Sequence, residues 1–162
     1  MVATIIVEDG SIVANANSYV SEAELSTFAS NRGITLTGTA AVLIIQSMDY
    51  IESLNYKGFK LTDDQSLLWP RTGVIVDGYL ISSDEIPQEL KDGQMQTCIA
   101  IDEGNDPLQD SPRKTKREKV GDLEVEYSDS SSSVVINKKI TATLKKLLDG
   151  GAGGNTFKVS KA

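Results

Sequence analysis

KGFKLTDDQSLLWPRTGV, residues 57–74, holds the chain's only Trp and a cluster of large apolar side chains, Leu61, Leu67, Leu68 and Trp69. Proline pushes the residue before it toward extended backbone, so Trp69-Pro70 cannot sit comfortably inside a helix. The stretch reads as an irregular connection whose apolar side chains need a core to enter. Helical patterns flank it on both sides, Ala40 to Leu54 before and Pro87 to Glu103 after. Leu61, Leu68, Trp69, Pro70 and Arg71 are therefore expected to form a structural wedge that fixes how those two helices cross.

Working outward, Ala41, Ile44, Ile45, Met48 and Ile51 follow the i, i+3, i+4, i+7 spacing of a buried helical stripe, with Thr37 or Thr39 as cap. An earlier, shorter helix is predicted from Ser21 to about Asn31. Ser21 and Glu24 form a capping box, Val20 and Leu25 a staple, and Gly33 the stop. Thr4 to Val7 could form a short strand, and Ala14 to Tyr19 reads as an extended arm. Downstream, Val74-Ile75-Val76 and Tyr79-Leu80-Ile81 flank Asp77-Gly78, a strong hairpin signal. In the third helix Leu90, Thr97, Cys98, Ile99 and Ile101 give the inward side. Gly93 costs that helix roughly 1 kcal/mol relative to Ala, which requires either a close neighbour or a bend.

The chain changes character at Gly104. A polar connector leads to Arg113, Lys114, Lys116, Arg117 and Lys119; then Leu123, Val125 and Tyr127 alternate with Glu124 and Glu126, the period of a half-exposed strand. After the serine run 128–133, a last helix is predicted over Asn137 to Leu148, with Ile140, Leu144 and Leu147 or Leu148 as its apolar edge. That edge would meet either a partner or its own body. The expected organisation is one domain overall: a helical body over residues 1–105, an extended basic arm and strand over 106–133, and a C-terminal helix and tail over 134–162. The fold class is mainly α, a small bundle of three to four helices with a short β-hairpin and an extended C-terminal arm ending in a helix.

The 162 residues suffice for one real core. The sequence has no His and one Cys, Cys98, so it offers no His-dependent triad, no internal disulfide and no Cys-rich zinc site. Neither a phosphate-binding Gly loop nor EF-hand spacing is present. Asp63-Asp64 and Asp84-Glu85 are adjacent carboxylates that point apart at turn or cap positions. No catalytic, cofactor-binding or metal-binding residue is expected, and no enzyme. The N-terminus lacks the basic region of a signal peptide and no window is long enough to span a bilayer, so no membrane partner is expected.

Residues 1–112 hold 17 acidic and 5 basic side chains, a balance of −12, while residues 113–162 hold 6 acidic and 11 basic, a balance of +5. This asymmetry suggests two faces with different neighbours, unless the charges serve only to solvate the surface. Arg113 to Lys119 could contact phosphates without sequence preference. The same run holds no aromatic stacking platform of the kind single-strand binders use.

Several blocks, in order, resemble one family: Val7-Glu8-Asp9-Gly10 to Asn17-Ser18-Tyr19, Met48-Asp49-Tyr50-Ile51, Lys57 to Arg71, Glu85-Ile86-Pro87, Lys116 to Tyr127 and the C-terminal Leu-rich helix. The family comprises small tailed-phage proteins labelled DnaT-like single-stranded-DNA-binding proteins, and it is similar to the phage head-tail connector (adaptor, head-completion) proteins. The lysine-rich last helix and the long serine run depart from its pattern. The resemblance implies a virion protein at the head-tail interface, present in host cytoplasm during assembly. It would form a homo-oligomeric ring, a dodecamer, between the portal protein and a tail or second connector protein, and genomic double-stranded DNA would pass through without sequence-specific binding. Expected partner-binding residues are Arg113, Lys114, Lys116, Arg117, Lys119, Leu123, Val125, Tyr127, Ile140, Leu144 and Leu147. The alternative function is a phage-encoded DnaT-like single-stranded-DNA-binding protein.

Overall fold

The computed structural model describes residues 3–109, 117–120, 123–126 and 138–150. Its elements in chain order are α1 (Glu22–Ser30), α2 (Ala40–Ile51), β1 (Phe59–Lys60), β2 (Arg71–Thr72), β3 (Ile75–Val76), β4 (Tyr79–Leu80), α3 (Gln88–Asp102), β5 (Arg117–Val120), β6 (Leu123–Glu126) and α4 (Lys138–Leu144). The architecture is mainly α, as the sequence pattern predicts. The described strands form three antiparallel pairs, β1 with β2, β3 with β4 and β5 with β6.

α2 and α3 form the central helix pair, with α4 laid along α3 and α1 against α2. One cluster of buried side chains, around Leu25, Phe28, Leu43, Ile44, Met95 and Cys98, joins α1 to the central pair. A second gathers Met48, Ile51, Trp69, Leu90, Ile140, Leu144 and Leu147. α1 begins as its sequence demands: Ser21 Oγ accepts from Glu24 N–H, while the Glu24 carboxylate accepts from Ser21 N–H. Val20 and Leu25, the staple pair, are both fully buried. α3 stops where Gly104 takes φ +78 and Asn105 N–H returns to Ala100 O, a glycine-dependent C-terminal closure.

Segment 4–19 is more tightly bound than a strand with a free arm. Val7 makes a single parallel bridge to Ser18, and Asn17 Oδ1 accepts from Ile6 N–H while its amide donates to Thr4 O. Glu8 is fully buried, and its carboxylate accepts three backbone N–H groups, from Gly10, Ile12 and Val13. That ring of amides gives a buried charge the solvation it would otherwise lack.

Two helices are shorter than their periodicity suggests, each for a local reason. α2 ends at Ile51 rather than Leu54, because Glu52 is drawn to Tyr19 and the Leu68 amide. α4 ends at Leu144 rather than Leu148: Leu147 O accepts from Lys57 N–H, Leu148 bridges Tyr56, and Asp149 N–H reaches Asn55 O. The C-terminal helix is thereby pinned to the start of the Trp-Pro-Arg stretch.

Candidate interaction surface

Residues 57–74 do enter the core, but through polar fixings that apolar patterning does not reveal. Trp69 is fully buried and meets Tyr56 edge-on at 5.8 Å. The Trp69 backbone N–H donates to the Tyr19 hydroxyl, which donates to Glu52 Oε1 at 2.6 Å; Glu52 Oε2 accepts from Leu68 N–H. Burial raises the Glu52 pKa above the ordinary carboxylate value, although these two donors oppose the shift. Burial, followed by the Glu52 charge, pushes the Tyr19 phenol up.

Arg71 is the second fixing. Its Nε donates to Lys57 O at 2.7 Å, one Nη to Gly58 O and Tyr56 O, and the other to Leu68 O. A planar fork with five donors can gather several carbonyls at once, which an ammonium cannot. Gln65 completes the loop by donating to Leu67 O and Pro70 O while accepting from Thr62 N–H. Among the expected wedge residues Trp69, Pro70 and Arg71 are buried and Leu68 half-buried. Leu61 is the exception, 37% exposed, because β1 carries its end of the stretch out to the surface. Leu67 fills the place instead.

The wedge sets the orientation of two surface ribbons. β1 pairs with β2, and two residues further on the β3–β4 hairpin turns through Asp77 and Gly78 with φ +51 and +86. Two successive positive φ values are what a two-residue hairpin turn of right-handed twist requires. The ribbons expose large apolar side chains: Phe59 is 76%, Ile75 56%, Tyr79 80% and Leu80 69% exposed. Beside the hairpin, a groove of about 410 Å³ is lined by Val76, Tyr79, Leu80, Ile81, Pro87 and the first turn of α3 with Glu85 and Glu89. The sequence marks the hairpin through Asp77-Gly78, but a strand pattern of three consecutive apolar residues does not reveal which of them face water.

The expected partner-binding residues divide. Arg113, Lys114, Lys116 and Tyr127 lie outside the described residues. Arg117 and Lys119 fall on β5, with Glu126 and Glu124 as their cross-strand partners in the register; Leu123 and Val125 fall on β6. Ile140, Leu144 and Leu147 are at most 1% exposed. Their assignment as a partner-binding edge is corrected: they pack into the chain's own core against α3, where Gly93 supplies the room. Among the described residues no group of His, Cys, Asp and Glu is placed to hold a metal ion. No described helix is long and apolar enough to cross a membrane.

Residues 3–162 match the model of the family described as "Putative DnaT-like ssDNA binding protein". The chain belongs to this family. No curated protein and no solved structure matches it. The match runs through the wedge, the hairpins, the basic run and α4 alike.

Proposed function

We propose that this DnaT-like family member is a structural subunit of a tailed-phage virion, a head-tail connector that forms a ring between portal and tail. The observation that carries this reading is the set of exposed apolar side chains on the two ribbons, Phe59, Ile75, Tyr79 and Leu80, on an acidic body. Large apolar side chains left this exposed suit a protein partner. A balance of −12 over residues 1–112 repels phosphate, as suits a wall past which DNA moves without sticking. The resemblance noted in the sequence supports the same reading.

Single-stranded-DNA binding is the second reading, and the family's description supports it more directly than it supports the connector. One feature of the surface favours it too: Phe59 is 76% exposed, and a base can stack on such a ring. The basic residues Arg113 to Lys119 would add salt-sensitive phosphate contacts.

Mixing the purified protein with portal rings, and in parallel with single-stranded oligonucleotide, separates the two when the particles are weighed. The connector reading expects a discrete added ring on the portal, abolished by Tyr79→Ser with Leu80→Ser, and no oligonucleotide shift. An oligonucleotide shift alone, weakened by salt and by Phe59→Ala, would replace it with the second reading.

A further inference from the structure

We infer that the solvent-facing side of α4, with Lys138, Lys139 and Lys145, carries the phosphate backbone of a single-stranded DNA whose bases stack on Phe59 and Tyr79. The inference rests on the single-strand reading above and gives it a site on the folded body, apart from the run Arg113–Lys119. While Ile140, Leu144 and Leu147 bury one side of α4, Lys138, Ala142 and Lys145 repeat at i, i+4, i+7 on the other and are exposed, with Lys139 exposed beside them. The Lys145 N–H still bonds Thr141 O, so helical geometry continues through it and sets Lys138 and Lys145 about 10 Å apart along the axis. Residues 137–148 hold four Lys and no acidic side chain, on a chain whose residues 1–112 balance at −12. Lys146 is committed to Asp77, which leaves the other three without a salt bridge among the described residues.

Both ribbons come to the C-terminal end of α4. Lys57 N–H donates to Leu147 O and Tyr56 bridges Leu148, so β1 and its Phe59 begin beside that end. The Lys146–Asp77 pair holds the turn of the β3–β4 hairpin there, and Tyr79 opens the strand that follows this turn. Phe59 and Tyr79 are 76% and 80% exposed. Rings open to solvent stack unpaired bases of any sequence, whereas a duplex keeps its bases stacked on one another, so cations combined with such rings fit a single strand. A protein partner fits the lysines less well, because protein interfaces favour Arg and are poor in Lys.

A fluorescein-labelled thymidine oligonucleotide of about 20 nucleotides, long enough to cover a site of this kind, titrated with the full-length protein by anisotropy across a salt series, tests this. Saturable binding is expected. Lys138→Ala with Lys139→Ala and Lys145→Ala should weaken it at least about tenfold at low salt and make the slope of log affinity against log salt shallower by about 2, since each single-strand phosphate contact contributes about 0.7. Ala is the best helix former, so these exposed changes should leave the thermal melt intact. Phe59→Ala with Tyr79→Ala should weaken binding at least about fivefold while leaving the salt slope unchanged. Binding indifferent to the lysine changes, or to the loss of both rings, overturns the inference. If that binding is lost instead when Arg113–Lys119 are neutralised, the single-strand reading stands and its site is the basic run. If the wild-type protein binds no oligonucleotide even at low salt, the single-strand reading itself falls and the inference with it.

Discussion

Gly93 and Leu144 approach so closely that a β-carbon on residue 93 would overlap Leu144 Cδ2 and stand 2.7 Å from its Cγ. The glycine in the middle of α3 is thus the seat of α4. Ala is the better helix former by about 1 kcal/mol, yet overpacking a filled site costs about 1–3 kcal/mol, and Leu144 is too deeply buried to swing aside. Gly93→Ala should therefore lower the urea midpoint. Leu144→Ala should cost less in the Gly93→Ala background than in wild type, which a double-mutant cycle would read directly. A stabilising Gly93→Ala would show that the contact is loose.

Truncation after Asn137 should unfold the body rather than free it. It removes Ile140, Leu144, Leu147 and Leu148 from the core. Each fully buried aliphatic side chain is worth about 1.5–3 kcal/mol, and four of them approach the about 5–15 kcal/mol that holds a whole domain together. Truncation after Gly150 keeps all four and should leave the thermal melt cooperative. A cooperative melt from the chain ending at Asn137 would show that α4 is dispensable.

That expectation reverses what the sequence suggests about α4, and the reason is physical. Periodicity correctly finds the stripe of Ile140, Leu144 and Leu147, but a stripe reports only that something covers it, not whose surface does. Gly93 holds the missing half: its cost inside a helix signals either a close neighbour or a bend, and the neighbour is α4. The capping box at Ser21, the Asp77-Gly78 hairpin and the burial of Trp69 are legible because each depends on residues adjacent in sequence. The Tyr19–Glu52 link and the Tyr56, Lys57 and Gly58 carbonyls gathered by Arg71 are not legible, because these partners lie 13 to 33 residues apart and come together only after the chain has folded. The exposed apolar surface of the ribbons is hidden for the opposite reason: Phe59, Tyr79 and Leu80 look like core residues until the core is seen to be full without them.

Arg71→Lys should be strongly destabilising although it conserves charge. The guanidinium satisfies carbonyls of Tyr56, Lys57, Gly58 and Leu68 from a single side chain. A lysine has one compact ammonium, so at least one of these carbonyls loses its partner, at about 1–3 kcal/mol for each buried group left unsatisfied. Both ribbons hang from this loop, so the loss should also appear as faster amide hydrogen exchange across residues 57–81. Wild-type stability and exchange in Arg71→Lys would show that the carbonyls do not need the fork.

Asp102 ties the end of α3 to the approach to α2: its carboxylate accepts from Thr37 N–H at 2.9 Å, Gly38 N–H at 2.7 Å and Thr37 Oγ1 at 2.9 Å. The two backbone amides, with the hydroxyl adding to them, hold its pKa below the ordinary 3.8. A carboxyl that binds its proton less tightly in the fold than in the unfolded chain stabilises the fold fully above the unfolded value. The stabilisation drains away as pH falls through the lower folded value. The group is solvent-exposed, so screening keeps the effect modest. Asp102→Asn keeps the shape but removes the charge, so wild type and variant should differ in urea midpoint at pH 6 and converge as the pH is taken below 3.8. A gap that stays constant down the acid limb would mean that the amides answer to shape alone and that the charge of Asp102 contributes nothing to the junction of α2 and α3.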